Sequence, residues 1–480
     1  MNHFLDNIDR LFSTLVTLIE RVLFFEVAHF PLIILWLLMG GIFLTLRMGF
    51  INIFGFKHAL DIAFGKYDNP DDDLQGEVSS FQALATALSA SIGLGNIAGV
   101  AIAIQMGGPG AVCWMTLAGF LGMSNKFVEC TLGVKYRTIN PDGTIVGGPM
   151  YYLSKGLKDL GKEQLGRGLA IFYCIAGLGS ALGGGNMFQA NQSFAALAAV
   201  VPGVKDYDWL FGLTLALLVG LVIIGGISRI GVITSKLVPL MVCFYLLGCF
   251  WVLWVNFTAI PAAFTLMFEG AFSPSGVEGG IIGIFVQGIR RSAFSNGAGL
   301  GSAAMAHAVA KTKEPIQEGI VSILEPFIDT IVICNVTALV IITTGMYGES
   351  VGEDISGSTL ASMAFAQVIN WFPFVLVGII CLFGFSTMIT WCYYGEQCWA
   401  YVFGKPSSIV FKVIFLSCIF LGSVVSLGAV VDFSDMMLLT LAIPNLLGCL
   451  LLSGKVAKSL KEYGNKLPLF ASNPTVISKL

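Results

Sequence analysis

The 480 residues are 56% hydrophobic and only 11% charged, with a mean hydropathy of +0.84, against about 25% charged residues in an ordinary soluble domain. A soluble globule has too much exterior to cover with so little polar side chain, which leaves an integral protein of the lipid bilayer. A formal net charge of −3 and a pI near 5.8 exclude the basic footprint of a nucleic-acid partner.

In chain order, the first 28 residues mix Asp6, Asp9, Glu20 and Glu26 with two arginines. They predict an amphipathic lead-in helix rather than a cleavable signal, leaving the first span to act as the insertion signal. That span covers 27–46. An acidic stretch with Asp61, Asp68, Asp71, Asp72, Asp73 and Glu77 follows as a solvated linker. Ten more apolar runs come next, over 79–104, 108–132, 168–198, 210–228, 232–255, 281–309, 317–345, 363–396, 408–428 and 432–453. Several exceed the roughly 20 residues a straight span needs, so they are tilted, bent or broken. The loop 138–167 carries a Pro141-Asp142-Gly143 turn and a Gly147-Gly148-Pro149 break, with room for a short interfacial helix.

Threading these eleven spans puts 21 of the 26 lysines and arginines on one side of the membrane, Lys126 among them. The bias places that side in the cytoplasm, the N-terminus outside and the C-terminus inside. The 11 cysteines lie mostly in apolar runs without metal-like spacing, and the four histidines form no cluster. Neither a hydrolytic Ser/His/Asp set nor a Gly-Lys-Ser/Thr phosphate loop is present, so the chain does not read as an enzyme or an ATP-driven pump.

Two spans are unlike the rest. The first core span contains Ser89-Ala90-Ser91-Ile92-Gly93-Leu94-Gly95-Asn96-Ile97-Ala98-Gly99, and the sixth contains Phe294-Ser295-Asn296-Gly297-Ala298-Gly299-Leu300-Gly301-Ser302. Aligning Gly93-Leu94-Gly95 with Gly299-Leu300-Gly301 sets an offset of 206 residues, five spans apart. Five is odd, so the two units sit in opposite orientations, as in an inverted-repeat transporter with its site at the midplane. Glycine lets a helix unwind there, exposing carbonyls that suit Na⁺ and amides that suit a carboxylate. Small-residue helix packing is the competing reading of one such span. It does not account for a matched pair. The chain thus divides into a lead-in, extra helix and linker (1–78), a first five-helix repeat (79–255), a second (256–453) and a cytoplasmic tail (454–480).

Other polar groups lie at membrane depth, where charge is expensive and tends to face the bundle interior. Core span three carries Asn186, Gln189, Asn191 and Gln192, span seven Glu325, Asp329, Asn335 and Thr337, and span eight Ser386, Thr387, Thr390, Trp391, Tyr393, Tyr394 and Glu396. Glu325 and Asp329 share a helix face, as a sodium counter-charge or as hydrogen-bond partners of the broken segments. Ser386 and Thr387 offer hydroxyls to a sodium. Trp391 either walls a side-chain pocket or is one more aromatic of the bundle. Arg290 and Arg291 either gate an outer vestibule, meet the substrate carboxylate, or snorkel to the interface.

These segments resemble the alanine or glycine:cation symporter family over nearly the whole chain. The resemblance rests on Gly93-Leu94-Gly95-Asn96-Ile97-Ala98-Gly99-Val100, Gly107-Gly108-Pro109-Gly110, Phe294-Ser295-Asn296, Ala298-Gly299-Leu300-Gly301-Ser302, Phe327-Ile328-Asp329-Thr330 and Trp391-Cys392-Tyr393-Tyr394-Gly395-Glu396. It implies an all-α, leucine-transporter-like fold of five plus five inverted helices with one extra N-terminal helix. It also implies Na⁺-coupled import of a small neutral amino acid, alanine or glycine, with no cofactor beyond the coupling ion. Carried over, the substrate residues are Gly95, Gln189, Ser295, Asn296, Ala298, Gly299 and Trp391. The sodium residues are Ala90, Gly93, Ser386 and Thr387, with Asn96 near a second ion. The family pattern has an acidic residue after the asparagine of the sixth span, where this chain has Gly297; the change bears on substrate preference or ion coupling. Another substrate such as glutamine, proton coupling, or a substrate-gated sensor or channel of the same fold are the alternatives. Stoichiometry, oligomeric state and D/L preference have no sequence signature.

Overall fold

In a bilayer every backbone N–H and C=O must be satisfied within its own segment, so long apolar runs fold as helices. The computed structural model describes residues 25–27, 30–67, 75–273, 280–347, 357–425 and 427–466. The lead-in, most of the acidic linker and the last tail residues fall outside them.

The helices in order are α1 (Leu32–Arg47), α2 (Phe56–Ala63), α3 (Ser80–Ser91), α4 (Ala98–Gly107), α5 (Gly110–Lys135) and α6 (Glu163–Leu182). Next come α7 (Phe188–Val200), α8 (Asp208–Ile223), α9 (Gly226–Val255), α10 (Ile260–Gly270), α11 (Gly280–Asn296) and α12 (Ala303–His307). The remainder are α13 (Pro315–Ser322), α14 (Asn335–Thr343), α15 (Ser358–Ala366), α16 (Phe372–Phe403), α17 (Ser408–Val424) and α18 (Leu427–Lys466). Wide π turns join α6 to α7 at Gly183–Met187 and precede α14 at Phe327–Cys334; such turns recur at functional sites.

Seven helices among the described residues are long and apolar enough to cross a membrane, and α3 with α4 makes an eighth bent by 58°. Three predicted spans are of another kind. Helix α1 has 16 residues, α5 carries Lys126, Glu129 and Lys135 in its 26, and α11 is parted from α12 by a break.

The loop after α5 holds a two-stranded hairpin, Thr138–Ile139 against Ile145–Val146, then helical turns over Pro149–Gly156. The predicted span 363–396 is two helices, because Pro373 opens α16 in its first turn where a missing N–H does no harm. Helix α10 lies where no span was predicted, and α18 runs to Lys466 rather than 453. Helix α5 packs on α11, α12 and α13, while α6 packs on α16 and α18 and α8 on α17. The broken pairs α3/α4 and α11/α12 run between these groups.

Candidate functional site

Ser79 and Gln82 form a capping box that starts α3. The helix ends at Ser91, and the chain then turns through Ile92–Ile97. The freed amides are held by side chains from elsewhere: Gly93 N–H donates to Asn96 Oδ1 at 3.1 Å and Leu94 N–H to Gln189 Oε1 at 3.1 Å. Helix α16 stitches the last turn of α3. Thr387 Oγ1 donates to the Ser89 carbonyl at 2.9 Å, Trp391 Nε1 to the Ala90 carbonyl at 3.1 Å, and Ser89 Oγ to the Ser386 carbonyl at 2.6 Å. A Cβ on Gly93 would stand 2.5 Å from Thr387 Oγ1 and 3.1 Å from Gln189 Oε1; the approach requires glycine.

In the second break Gly297, Gly299 and Gly301 take φ of +62°, +86° and +79°, values side chains rarely adopt. Asn296 folds back on it, its Nδ2 donating to Ser292 Oγ and Thr330 Oγ1 while its Oδ1 accepts from Ala298 N–H at 2.8 Å. The exposed carbonyls of Gly299 and Leu300 accept from Asn445 Nδ2 at 2.7 Å and Tyr173 Oη at 3.0 Å.

One carboxylate ties the two breaks together. Asp329, fully buried on the π turn, accepts from Asn96 Nδ2 at 2.8 Å and from Ser295 Oγ and Thr330 Oγ1 at 2.7 Å each. Of the two readings the sequence left open, the hydrogen-bonding one is what the geometry displays. Glu325 goes elsewhere: it accepts from Lys126 Nζ at 2.9 Å and faces His307 Nε2 at 2.9 Å, whose Nδ1 faces Glu318 at 2.8 Å. Glu318 in turn accepts from Ser80 Oγ. Lys126, counted above with the loop charges of one membrane face, is 1% exposed inside α5. Its sign of membrane depth was available: position 126 lies inside the predicted span 108–132.

Side-chain and backbone ties cross the bundle on both flanks of the second break. At one, Arg290 Nε lies 2.7 Å from Asp435 Oδ2, and the buried Arg291 bonds the same carboxylate while lying over the Phe294 ring. The arginines are therefore a tie between α11 and α18, not snorkelling side chains. At the other end Val78 and Ala310 form a parallel β-bridge, with Lys311 N–H donating to the Val78 carbonyl at 2.9 Å. The Arg137 guanidinium covers it, donating to the carbonyls of Ala308, Ala310, Gln75 and Thr312 at 2.8–3.1 Å.

Between these ties a small space is lined by Ala90, Ser295, Asn296, Trp391, Lys126 and Ser302 among others. Of the expected substrate residues, Ser295, Asn296 and Trp391 line it. Gly95 packs on Phe294 and Ser295 at its edge, and Gln189 holds the first break from behind. Ala298 and Gly299 turn the other way, toward Gly122 and toward Leu37 and Asn125. Of the expected sodium residues, Gly93 and Thr387 are side by side and Asn96 lies next to Asp329. The Ala90 carbonyl is bonded to Trp391, and the Ser386 hydroxyl points to the Phe383 carbonyl and Met241 Sδ. Sequence reasoning missed the Arg137 clamp and Asp435. Arg137 was read as a loop charge, and Asp435 sat unremarked in the last span.

Two interrupted helices meeting at a small cavity with polar groups, between ties on either flank, define a multi-span membrane transporter. The fold is similar to that in the crystal structure of MhsT in complex with L-phenylalanine, at a TM-score of 0.51 and 13% identity, covering 78% of this chain and 98% of that one. The model of the sodium:alanine symporter family matches residues 13–475, and the chain belongs to that family. It is 41% identical over 434 residues to the sodium/alanine symporter AgcS of Methanococcus maripaludis, covering 90% of this chain and 94% of that relative. It is 32% identical to the Bacillus subtilis protein named "Probable sodium/glutamine symporter GlnT", over 90% of this chain and 87% of the relative. The chain is accordingly a multi-pass symporter coupling Na⁺ to a small neutral amino acid of the alanine type, not an enzyme.

Proposed function

We propose that the chain imports alanine, glycine or both with Na⁺ by alternating access, through eleven spans. In this reading α1 is the extra span (within 1–78), and two five-helix repeats of opposite orientation occupy 79–255 and 256–453. The breaks of α3/α4 and α11/α12 stand in corresponding places of the two units. The Arg137 end faces the cytoplasm and the Arg290 end the outside, in keeping with the lysine and arginine bias.

The amino and carboxyl ends of the substrate lie at the breaks, against Gly95, Ser295 and Asn296, with Gln189, Trp391, Ala298 and Gly299 shaping them. Sodium sits by Gly93 and Thr387, with the Ala90 carbonyl and the Ser386 hydroxyl completed by small rotations; oxygen donors of this kind suit a hard cation. A second ion belongs beside Asn96, where Asp329 supplies the charge.

The observation that carries the reading is the Asp329 carboxylate bonded to both breaks at once. A cation there organises both halves of the site, raising substrate affinity, and linkage makes the effect reciprocal. The test is labelled alanine uptake into proteoliposomes under an inward Na⁺ gradient, with glycine, D-alanine and glutamine as competitors. Concentrative uptake that fails in choline and is inhibited best by glycine or D-alanine is the expected result. Strongest inhibition by glutamine would move the assignment to that substrate, and uptake without accumulation would point to a channel or sensor.

A further inference from the structure

The lining of the cavity is not all apolar. Lys126 and Ser302 both line it, beside Gly297. An ammonium carries three N–H donors, and one carboxylate, Glu325, takes a single described bond from Lys126. The Ser302 side chain is 4% exposed, and among the described residues its hydroxyl has no hydrogen-bond partner. Gly297 keeps both within reach: a Cβ there would stand 3.3 Å from Ser302 Oγ and 3.8 Å from Lys126 Nζ. The lysine itself cannot swing away. Its partner Glu325 is held by His307, which is held by Glu318, all buried.

A buried cation with unused donors beside a free hydroxyl is a recognition device for oxygen acceptors. We propose that Lys126 and Ser302 form a side-chain subsite, opened by Gly297, that admits amino acids carrying a side-chain carbonyl or carboxylate in addition to alanine. This rests on the reading above, in which the amino-acid backbone is held at the breaks and the side chain enters the cavity. A site built to bond a polar group discriminates sharply against the apolar analogue of the same shape.

Asparagine and leucine are such a pair. Inhibition of labelled alanine uptake by each is measured in proteoliposomes of the full chain, for the native protein, G297D and G297N. The two variants are nearly isosteric, and Asp and Asn both tolerate a positive φ, so the Asn form is the steric control. In the native protein asparagine inhibits at least about tenfold better than leucine. G297D places its own carboxylate on Lys126 and Ser302 and abolishes the asparagine advantage, read as the ratio of asparagine to leucine inhibition of the alanine uptake that remains; G297N leaves more of that advantage than G297D. Equal inhibition by asparagine and leucine in the native protein overturns the subsite. So does an identical loss in G297D and G297N, which would mean that space alone matters. Failure of native alanine uptake itself would instead strike the parent reading, which keeps the two failures apart.

Discussion

At the scale of single residues, Gly93 inside the first break and Gly99 just after it make opposite predictions. A methyl on Gly93 would meet Thr387 Oγ1 at 2.5 Å, and that hydroxyl cannot turn aside without giving up the Ser89 carbonyl. Overpacking of this kind costs about 1–3 kcal/mol, and here it falls on the expected sodium ligand. G93A therefore loses at least about tenfold in Na⁺-driven alanine uptake, one factor of ten for each 1.4 kcal/mol. Gly99 has nothing within 4 Å of its would-be Cβ and sits in α4, so G99A keeps uptake within about twofold and gains slightly in helix stability. Equal behaviour of the two would contradict the packing account. Asp329 is the second residue-scale case. Its oxygens receive Asn96, Ser295 and Thr330, and an amide would set a donor against one of those donors while removing the charge. D329N should raise the Na⁺ concentration for half-maximal uptake about tenfold, read from uptake against Na⁺ at fixed alanine. An unchanged Na⁺ dependence would leave Asp329 a structural tie only.

At the scale of elements, what was legible in the sequence was whatever hydropathy and glycine express locally. The breaks were found because Gly93-Leu94-Gly95 and Gly299-Leu300-Gly301 interrupt apolar runs, and both runs do interrupt there. Helix α15 was fused to α16 because the turn at Gln367–Trp371 carries Val368, Ile369 and Trp371 among its five residues, and a window of hydropathy does not register it. The π turn at Gly183–Met187 was likewise invisible; it is a change of hydrogen-bond register within one apolar run. Pairings across the fold left no local signal at all. Lys126 meets Glu325 at a separation of 199 residues, and Arg137 meets the carbonyl of Ala310 at 173. Candidate site residues were legible as types near the breaks. Their direction was not: Ala298 and Gly299 lie within three residues of Asn296, yet the positive φ of Gly297 and Gly299 goes with a turn to the far side of the segment.

At the scale of the whole molecule, ties flank the cavity on two sides, and they are built from different chemistry. At the Arg290 end the Asp435 carboxylate is shared by two arginines. The Arg137 end rests on a guanidinium fork spread over four carbonyls, backed by the Val78–Ala310 bridge. Removing one partner of a buried ion pair costs about 3–5 kcal/mol, most of the about 5.5 kcal/mol that a full 1:99 to 99:1 reversal needs. Loss of the Asp435 tie therefore biases which way the transporter opens, and the Arg137 fork works against it. D435N frees α11 from α18 and favours the state open at the Arg290 end. R137K keeps the charge but replaces a planar fork by a point donor that cannot span four carbonyls, favouring the state open at the other end. A cysteine at Ala90, which lines the cavity, reports the outcome through its labelling by a membrane-impermeant thiol reagent, with the native cysteines as the baseline. From the side of the Arg290 end, A90C labelling rises at least about tenfold with D435N and falls with R137K. The double variant returns toward the parent, because distant, independent sites add and these two oppose. If both substitutions raised labelling from the same side, the ties would be general braces of the fold and not the two gates of one cycle.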